Sequence, residues 1–442
     1  MTARERWELI VVGGGRAGLA AVSEARWAGV ETCLVEQAPE LNGDPTLAND
    51  VRTSGATICT DTAAWGIWGR ELAVCTPPGP TRVLAADQVI LATGAYARQV
   101  AFPGWTLPGV MTAGDARSLL AQGQTPGQRV LVAGYGTWLA AIVGDLRAAG
   151  RTPVGVLDAA GRAGRLVVRA EGDSSLQRAV SARVDADWRP RAGTDQVVDA
   201  DALVLAFGRL PENRLDRLAG CQHAGAEYFS PTTIRDPWMR TSVPGIFVAG
   251  DAGGIVGQAI AIEQGRLAGV GAALDSGRLT QPEADRRARP IRRRLAALPV
   301  EMGPGRGLYA LADADTVICR CEDVTARQIE AVLFDGSLEP GPAIAETRAA
   351  MGSCQGRDCA SQLAAVISRH FDQPIERVPP ITPRPPVVPV LLGALAERPP
   401  GIASSTRSDA VGPFLTGARS GRRAPGSASS CRTRCAGTSG FR

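Results

Sequence analysis

Lysine is absent from this sequence of 442 residues, and histidine is nearly absent. All 48 basic residues are arginine, and the two histidines are His223 and His370. Without lysine the chain can form neither a Walker-type phosphate site nor a Schiff base with pyridoxal phosphate, and it has no lysine general base. Two histidines leave too little material for a histidine-rich metal site or a Ser-His-Asp triad, so we expect both to be structural.

Long apolar runs are missing as well. No uninterrupted run approaches the roughly 18 residues that a membrane span requires, and residues 1–8 are too polar for a signal peptide. We therefore expect a cytoplasmic protein with no membrane span and no nucleic-acid partner. In that compartment ten cysteines are expected as thiols or ligands rather than disulfides. The length allows two or three domains.

The first residues contain a dinucleotide-binding motif. Residues 7–12 have the pattern of a buried strand, and an alanine-rich helical pattern begins after the G-x-G-x-x-G spacing of Gly13, Gly15 and Gly18. Gly13 permits the tight turn, Gly15 lets the backbone approach a pyrophosphate, and Gly18 lets the helix pack on the strand. The phosphate then lies at the N-terminus of the helix.

An acidic residue completes this motif. A second strand pattern, Thr32–Val35, ends at Glu36, about 20 residues beyond the glycines, where a carboxylate can accept hydrogen bonds from ribose hydroxyls. A glycine-rich turn alone would be weak evidence. The strand, the turn, the helix and the acid together predict dinucleotide binding.

Two later strand ends specify which dinucleotide we expect. Residues 87–95 form a strand pattern that ends in Ala92, Thr93 and Gly94, and residues 243–251 form another that ends in Gly250 and Asp251. This order of motifs resembles the two-dinucleotide-domain flavoprotein reductases, in which such a Gly-Asp places its carboxylate beside the ribityl chain and pyrophosphate of FAD. The resemblance therefore assigns the first nucleotide to FAD.

A second strand-turn-helix pattern lies between these halves. It contains Gly134 and Gly136, and Asp158 ends the following strand pattern. By resemblance this is an inserted NAD-type domain, although Leu139 occupies the position of a third glycine or alanine. We expect either NAD(H), which Asp158 favours over a 2′-phosphorylated nucleotide, or a vestigial domain or another adenine nucleotide.

Four cysteines near the end form two close pairs, Cys319 with Cys321 and Cys354 with Cys359. Four thiolates can hold zinc or an iron-sulfur cluster. Zinc knuckles usually leave two residues between paired cysteines, whereas these pairs are separated by one and by four. This spacing favours iron and sulfur over zinc or unliganded thiols. It resembles the 2Fe-2S domain first recognised in bacterioferritin-associated ferredoxin, where such pairs hold the cluster.

The other cysteines of the folded region are isolated in sequence, and we expect each to be a small core residue. They are Cys33, Cys59, Cys75 and Cys221. A flavin disulfide reductase needs a close redox pair beside the flavin, so their isolation argues against that class. Between the first nucleotide motif and residue 87, we predict an antiparallel meander of strands at 56–60, 64–68 and 71–75.

The whole order of motifs resembles one family, the FAD-containing subunits of opine oxidases, bacterial hydrogen cyanide synthase and dye-linked L-proline dehydrogenases. The cysteine spacing and residues 102–110 are its most specific parts. The implied fold is α/β, a glutathione-reductase-like flavoprotein with two dinucleotide-binding domains and a small C-terminal iron-sulfur domain. The expected divisions are 1–120 (FAD domain, first half), 121–234 (shortened NAD-type insert), 235–300 (FAD domain, second half), 310–375 (2Fe-2S domain), 376–397 (proline-rich arm) and 398–442 (disordered tail).

In that family a separate amine-oxidising flavoprotein subunit takes electrons from a C-N bond, and the subunit of the present type relays or receives them. The resemblance implies an FAD-dependent oxidoreductase that works in a hetero-oligomer on a small amine, amino acid or opine. A stand-alone NADH-dependent flavin and iron-sulfur reductase is the second hypothesis. A cofactor-poor structural or assembly partner is the third.

The sequence also departs from the family. Relatives carry a Gly-Gly-Gln segment and a longer loop after the ribose acid, whereas here residues 41–44 pass quickly into the predicted meander. The stretch after Asp158 is also short. Both departures lie where flavin and nicotinamide would be contacted, so reduced activity is a further expectation. No residue can be assigned as a catalytic base.

Overall fold

The first glycine motif lies at the end of the central strand of a seven-stranded sheet. The computed structural model describes residues 5–41, 43–161, 164–225, 231–298, 303–334 and 336–396, so the predicted tail with Cys431 and Cys435 lies outside the described residues. In chain order the first elements are β1 (Glu5–Val12), α1 (Arg16–Trp27), β2 (Thr32–Val35), α2 (Pro45–Thr53), β3 (Thr57–Cys59), β4 (Ala63–Trp68), β5 (Glu71–Cys75), β6 (Thr81–Leu91) and β7 (Ala95–Ala97).

Strand β1 pairs in parallel with both β2 and β6. The side chains of Leu9, Ile10 and Val11 are fully buried, as expected for a parallel strand that is covered on both faces. The sheet order is β3-β2-β1-β6-β5-β4. The carboxyl ends of β1 and β2 therefore lie side by side, and ligands of open α/β sheets bind at this edge.

The region after β2 differs from the predicted meander. Strand β3 pairs in parallel with β2 and belongs to the nucleotide-binding sheet, whereas β4 and β5 form the predicted antiparallel pair. Helix α2 was not predicted. Asp44 caps it by accepting hydrogen bonds from the backbone N–H groups of Thr46 at 3.0 Å and Leu47 at 3.2 Å, and Pro45 occupies its first turn.

The second region contains a separate parallel sheet. Its elements are β8 (Val110–Thr112), α3 (Ala113–Ala121), β9 (Val130–Gly134), α4 (Gly136–Ala148), β10 (Gly155–Asp158), β11 (Arg165–Glu171), β12 (Arg178–Arg183), β13 (Gln196–Asp199), β14 (Ala202–Ala206), β15 (Arg209–Pro211), α5 (Arg214–Leu218), β16 (His223–Ala224) and β17 (Thr232–Thr233). The parallel order is β10-β9-β14-β8, beside an antiparallel sheet β11-β12-β13.

The chain then returns to the first sheet and continues into the cysteine-containing segment. The remaining elements are β18 (Ile246–Val248), α6 (Gln258–Asp275), α7 (Gln281–Ala296), β19 (Val317–Cys319), β20 (Val324–Thr325), α8 (Ala326–Glu330), α9 (Pro340–Thr347), α10 (Ala360–His370) and α11 (Leu392–Ala396). Strand β18 pairs in parallel with the end of β6. None of the helices in the described ranges combines the length and the apolarity needed to cross a membrane.

Helix α6 packs closely on α1. A Cβ atom at Gly265 would lie 2.0 Å from the carbonyl oxygen of Ala17, and one at Gly269 would lie 2.4 Å from that of Ala21. Only glycine allows the two helix backbones to approach this far. This contact fixes the start of α1, and with it the glycine turn, against α6.

Candidate functional site

The first glycine turn has one open face and two closed ones. Gly13 has φ +103°, and a Cβ atom there would lie 2.4 Å from the carbonyl oxygen of Ala92. A Cβ atom at Gly18 would lie 1.8 Å from the carbonyl oxygen of Gly13. At Gly15, in contrast, a Cβ atom would meet nothing within 4 Å. The turn is thus packed where helix meets strand and open where a pyrophosphate would approach.

Glu36 lies beside this turn at the end of β2. Its Oε2 accepts a hydrogen bond from the backbone N–H of Gly14, and its Oε1 accepts one from the N–H of Ala38 at 2.7 Å. Its own N–H donates to the carbonyl oxygen of Cys59 at 2.9 Å. The carboxylate is therefore held in a fixed position, where it could accept hydrogen bonds from ribose hydroxyls.

A cavity of about 330 Å³ opens beside the turn. Five predicted residues line it, namely Gly13, Gly15, Glu36, Thr93 and Gly94. The open face at Gly15 and the fixed carboxylate suit the adenosine and pyrophosphate portion of FAD, so the residues present fit the cofactor that the resemblance implies. The cavity lies at the carboxyl ends of parallel strands, where α/β sheets bind nucleotides.

The Thr93–Gly94 end of the cavity is fixed by a long-range contact. The Thr93 hydroxyl donates to the carbonyl oxygen of Glu212 at 2.5 Å. Gly94 has φ +74°, and a Cβ atom there would meet nothing within 4 Å. The main chain is therefore free to approach a ligand at this strand end, as the small residues predict.

Gly250 and Asp251 do not line this cavity. A Cβ atom at Gly250 would lie 2.8 Å from that of Ala17, so Gly250 lies against the start of α1. Asp251 is 8% exposed, and its Oδ1 accepts from the N–H groups of Val256 at 2.9 Å and Gly257 at 3.1 Å. Its Oδ2 is paired with the guanidinium of Arg209. Protein donors thus occupy both carboxylate oxygens.

The second glycine turn carries an aromatic side chain between its glycines. A Cβ atom at Gly134 would lie 2.2 Å from the carbonyl oxygen of Ala206, and Gly136 has φ +64°. Between them, the ring of Tyr135 packs edge-on against that of Trp188, with centroids 4.9 Å apart. Trp188 is 7% exposed.

Two residues beside this second turn, Leu139 and Asp158, differ in their exposure to solvent. Leu139, in place of a third glycine, is buried among the apolar residues that hold α4 on its sheet. Asp158 ends β10 as predicted and is exposed, and its Oδ1 accepts from the N–H of Ala160 at 3.0 Å. The second turn therefore keeps an accessible acid and an open face at Gly136, where a Cβ atom would meet nothing within 4 Å, but it carries an aromatic ring between its glycines.

The structure brings the four predicted ligand cysteines into a chain of thiol contacts. Cys359 interacts with Cys319 and Cys354, and Cys354 interacts with Cys321. Hydrogen bonding from the Cys359 thiol lowers the pKa of Cys354 to about 5 and that of Cys319 to about 6. The same two contacts, with burial, raise the pKa of Cys359.

Backbone amides add to this arrangement. The N–H groups of Asp358 and Gly356 lower the pKa of Cys354, and those of Ala350 and Glu322 lower that of Cys319. Such donors stabilise thiolate sulfur. Nevertheless, across the described ranges no group of three or more Cys, His, Asp or Glu side chains has an arrangement that could hold a metal ion.

The prediction that the remaining cysteines are isolated is wrong for one pair. The Sγ atoms of Cys33 and Cys59, on the adjacent strands β2 and β3, lie 3.9 Å apart. The hydrogen bond from Cys33, together with the charge of Arg82, lowers the pKa of Cys59 to about 6, and the same contact raises that of Cys33. Cys75 and Cys221 are buried core residues, as predicted.

Several cavity residues were missed from the sequence. Arg214 and Leu215 begin α5 and Glu212 lies just before it, whereas Arg357 belongs to the cysteine loop, which we define as residues 354–359. Val387 and Val388 come from the proline-rich arm, and the N–H of Val387 donates to the carbonyl oxygen of Trp65 at 2.8 Å. No local pattern marks these residues, because only the fold brings them to the first glycine turn.

The fold and the cavity define an FAD-dependent oxidoreductase. Residues 7–276 match the pyridine nucleotide-disulphide oxidoreductase family, and the chain belongs to this family. Residues 315–398, which include the cysteine group and the whole arm, match the sarcosine oxidase A3 domain.

Relatives cover most of the chain. It is 29% identical to an opine oxidase subunit of Rhizobium meliloti over 469 residues, which covers 90% of this chain and 88% of the relative. It is 30% identical to hydrogen cyanide synthase subunit HcnB of Pseudomonas aeruginosa strain PAO1 over 425 residues, covering 79% of this chain and 90% of the relative. Both alignments are longer than the part of this chain that they cover, so the relatives carry segments that this chain lacks.

A solved structure confirms the α/β fold. L-Proline dehydrogenase from P. horikoshii superposes with a TM-score of 0.72 and 23% identity, over 90% of this chain and 81% of that one. Together with the family match, this confirms the α/β flavoprotein part of the predicted fold, whereas the C-terminal iron-sulfur domain stays a prediction.

Proposed function

We propose that this chain is the electron-transfer subunit of a complex that oxidises an amine, an amino acid or an opine, and that it passes electrons between FAD and a [2Fe-2S] cluster. One observation carries the proposal. Arg357 of the cysteine loop lines the cavity beside the first glycine turn, so the candidate cluster site adjoins the candidate FAD site. When bound, FAD exchanges electrons in pairs or singly, and a 2Fe-2S centre exchanges one at a time.

The residues proposed to hold FAD share a position at or next to the first glycine turn. They are Gly13, Gly15, Gly18, Glu36, Thr93, Gly94, Gly250 and Asp251. Gly15 offers the open backbone face, and Glu36 offers a carboxylate for the ribose. Gly250 and Asp251 act through the backbone that they fix, because Asp251 binds the N–H groups of residues 256 and 257 just before α6, and Gly250 lies against Ala17 at the start of α1.

The cluster would be held by Cys319, Cys321, Cys354 and Cys359. Their thiols shift one another's pKa values, and the lowered pKa values of Cys319 and Cys354 favour the thiolate form that binds metal at neutral pH. The match of this segment to a sarcosine oxidase domain supports a role in amine oxidation. The domain boundaries given above remain part of the proposal.

The proposed partner is a separate amine-oxidising flavoprotein subunit. The relatives support this, since the opine oxidase and hydrogen cyanide synthase proteins are each described as one subunit of an enzyme. A small amine or opine would then react on the partner, and this chain would receive the electrons.

The direct test is the iron and sulfide content of the purified full chain. We expect about two iron and two acid-labile sulfide per chain and a paramagnetic signal after reduction. Cys354→Ser should lose both, whereas Cys75→Ala, which alters a buried cysteine elsewhere, should keep them. Zinc in place of iron, or thiols without metal, would overturn the proposal.

A second candidate function is NADH-dependent reduction of the same flavin. The observation in its favour is the strand-turn-helix of β9 and α4, with Gly134, Gly136 and the exposed acid Asp158 as candidate NAD(H) ligands. Rapid mixing with NADH tests it by flavin bleaching. Because Leu139 replaces the third glycine and the ring of Tyr135 lies between the other two, we expect bleaching that is slow compared with reduction by the partner protein.

A further inference from the structure

Arg357 differs from the other arginine that lines the FAD cavity. Arg214 is neutralised by Glu212, which accepts from its Nε at 2.7 Å and its Nη2 at 2.6 Å. Arg357 has no carboxylate within 4 Å among the residues that the structure describes, and its Nε donates to the carbonyl oxygen of Cys354 at 3.4 Å. Its charge is therefore available to a ligand of the cavity.

The cavity otherwise offers little positive charge to a pyrophosphate. Glu36, Glu40 and Glu212 all line it. At the turn, the Gly14 N–H is already bonded to Glu36, and Arg16 is paired with Asp44 at 3.3 Å. The N-terminus of α1 contributes only about half a positive charge. A ligand with two negative charges thus needs a further cation.

The cysteine loop holds Arg357 in place. Gly356 has φ +83°, and a Cβ atom there would lie 3.3 Å from that of Ala350. The Gln355 side chain donates to the carbonyl oxygen of Pro386 at 2.6 Å, which ties the loop to the arm. A guanidinium fixed in this way can bind two phosphate oxygens at once.

We propose that Arg357 binds the pyrophosphate of FAD, so that the cysteine loop supplies the cation of the nucleotide site. This inference rests on the proposed location of FAD beside the first glycine turn. It makes the C-terminal segment part of the FAD site, although the segment lies outside the residues that match the pyridine nucleotide-disulphide oxidoreductase family.

The test compares ADP with adenosine as probes, titrated into the full chain after removal of FAD. Arg357→Gln should weaken ADP binding about tenfold, because it removes a charge-assisted hydrogen bond, and should leave adenosine binding unchanged. The ADP affinity of Arg357→Lys should lie between those of the wild type and Arg357→Gln. Arg320→Gln is the matched control, since Arg320 lies in the first cysteine pair but does not line the cavity. Iron content and melting temperature establish that each variant is folded.

Equal ADP affinity in Arg357→Gln and the wild type would overturn the inference. If Gly15→Ala still weakens ADP binding in that case, the proposed FAD location stands and only the role of Arg357 fails. If ADP fails to bind the wild type, both fail. Should Arg357→Gln not fold, the salt dependence decides: wild-type ADP binding should weaken with salt more steeply than adenosine binding, and equal slopes would overturn the inference.

Discussion

The two glycine turns of this chain start from nearly the same sequence pattern and end in different local structures. At the first turn Gly18 lies against the backbone of Gly13, and Gly15 faces a cavity. At the second, Leu139 takes the position of Gly18, and the ring of Tyr135 packs on Trp188. The two turns thus share an open face at Gly15 and at Gly136 and differ in the third position of the motif and in the side chain between the glycines.

The largest effect should come from making the first turn resemble the second. Gly18→Leu places a Cβ atom 1.8 Å from the carbonyl oxygen of Gly13 and forces α1 away from β1. We expect a loss of stability of about 3 kcal/mol or more and no bound FAD. Flavin absorbance per chain and chemical denaturation measure the two effects.

Gly15→Ala is the matched control for this change. Its Cβ atom meets no protein atom within 4 Å, so the FAD-free protein should keep its stability while FAD binding weakens. Stoichiometric FAD in Gly18→Leu would show that the third glycine does not distinguish the two turns.

Leu139, which occupies the third motif position of the second turn, should behave differently when it is replaced. Leu139→Ala removes a buried side chain that holds α4 on its sheet, so we expect a loss of about 2–4 kcal/mol in the free energy of unfolding and unchanged FAD content. Denaturation monitored by circular dichroism, with flavin fluorescence in parallel, tests both. Loss of FAD while the protein remains folded would mean that the second turn takes part in flavin binding.

The parts of the site that are local in sequence were predictable. Strands β1 and β2, the first turn and Glu36 follow from patterns within 36 residues, and the structure places them as expected. Helix α2 and the parallel pairing of β3 were not predictable in this way, because β3 has three residues and its partner is set by tertiary packing.

Contacts between residues distant in sequence could not be predicted. Arg357 and Val387 line the same cavity as Gly13 and Glu36, which lie more than 300 positions earlier, and no spacing rule links them. Cys33 and Cys59 form a close pair because β2 and β3 are neighbours, which the predicted meander did not allow. The resemblance to a flavoprotein family supplied the domain order, but not these contacts.

The two acids that follow the turns provide a smaller, paired test. Glu36→Gln keeps the shape of the side chain but removes the negative charge of the carboxylate that is proposed to accept hydrogen bonds from ribose hydroxyls. FAD affinity should therefore fall about five- to tenfold. Asp158→Asn, the corresponding change at the second turn, should leave FAD affinity unchanged. Fluorescence titration with FAD measures both, and equal losses in the two variants would contradict the assignment of FAD to the first turn.

The smallest expected effect concerns the thiol next to the first turn. Cys59 has a pKa lowered to about 6 by the Cys33 thiol and Arg82, so its reactive thiolate should form above about pH 6, whereas Cys33 should remain protonated. Alkylation of Cys59, followed by mass spectrometry, should therefore rise between about pH 5 and 7 and then level off. Cys33→Ala removes the donor and should move this rise to higher pH. An unchanged profile in that variant would mean that Arg82, rather than the thiol pair created by the parallel β3, controls the reactivity of Cys59.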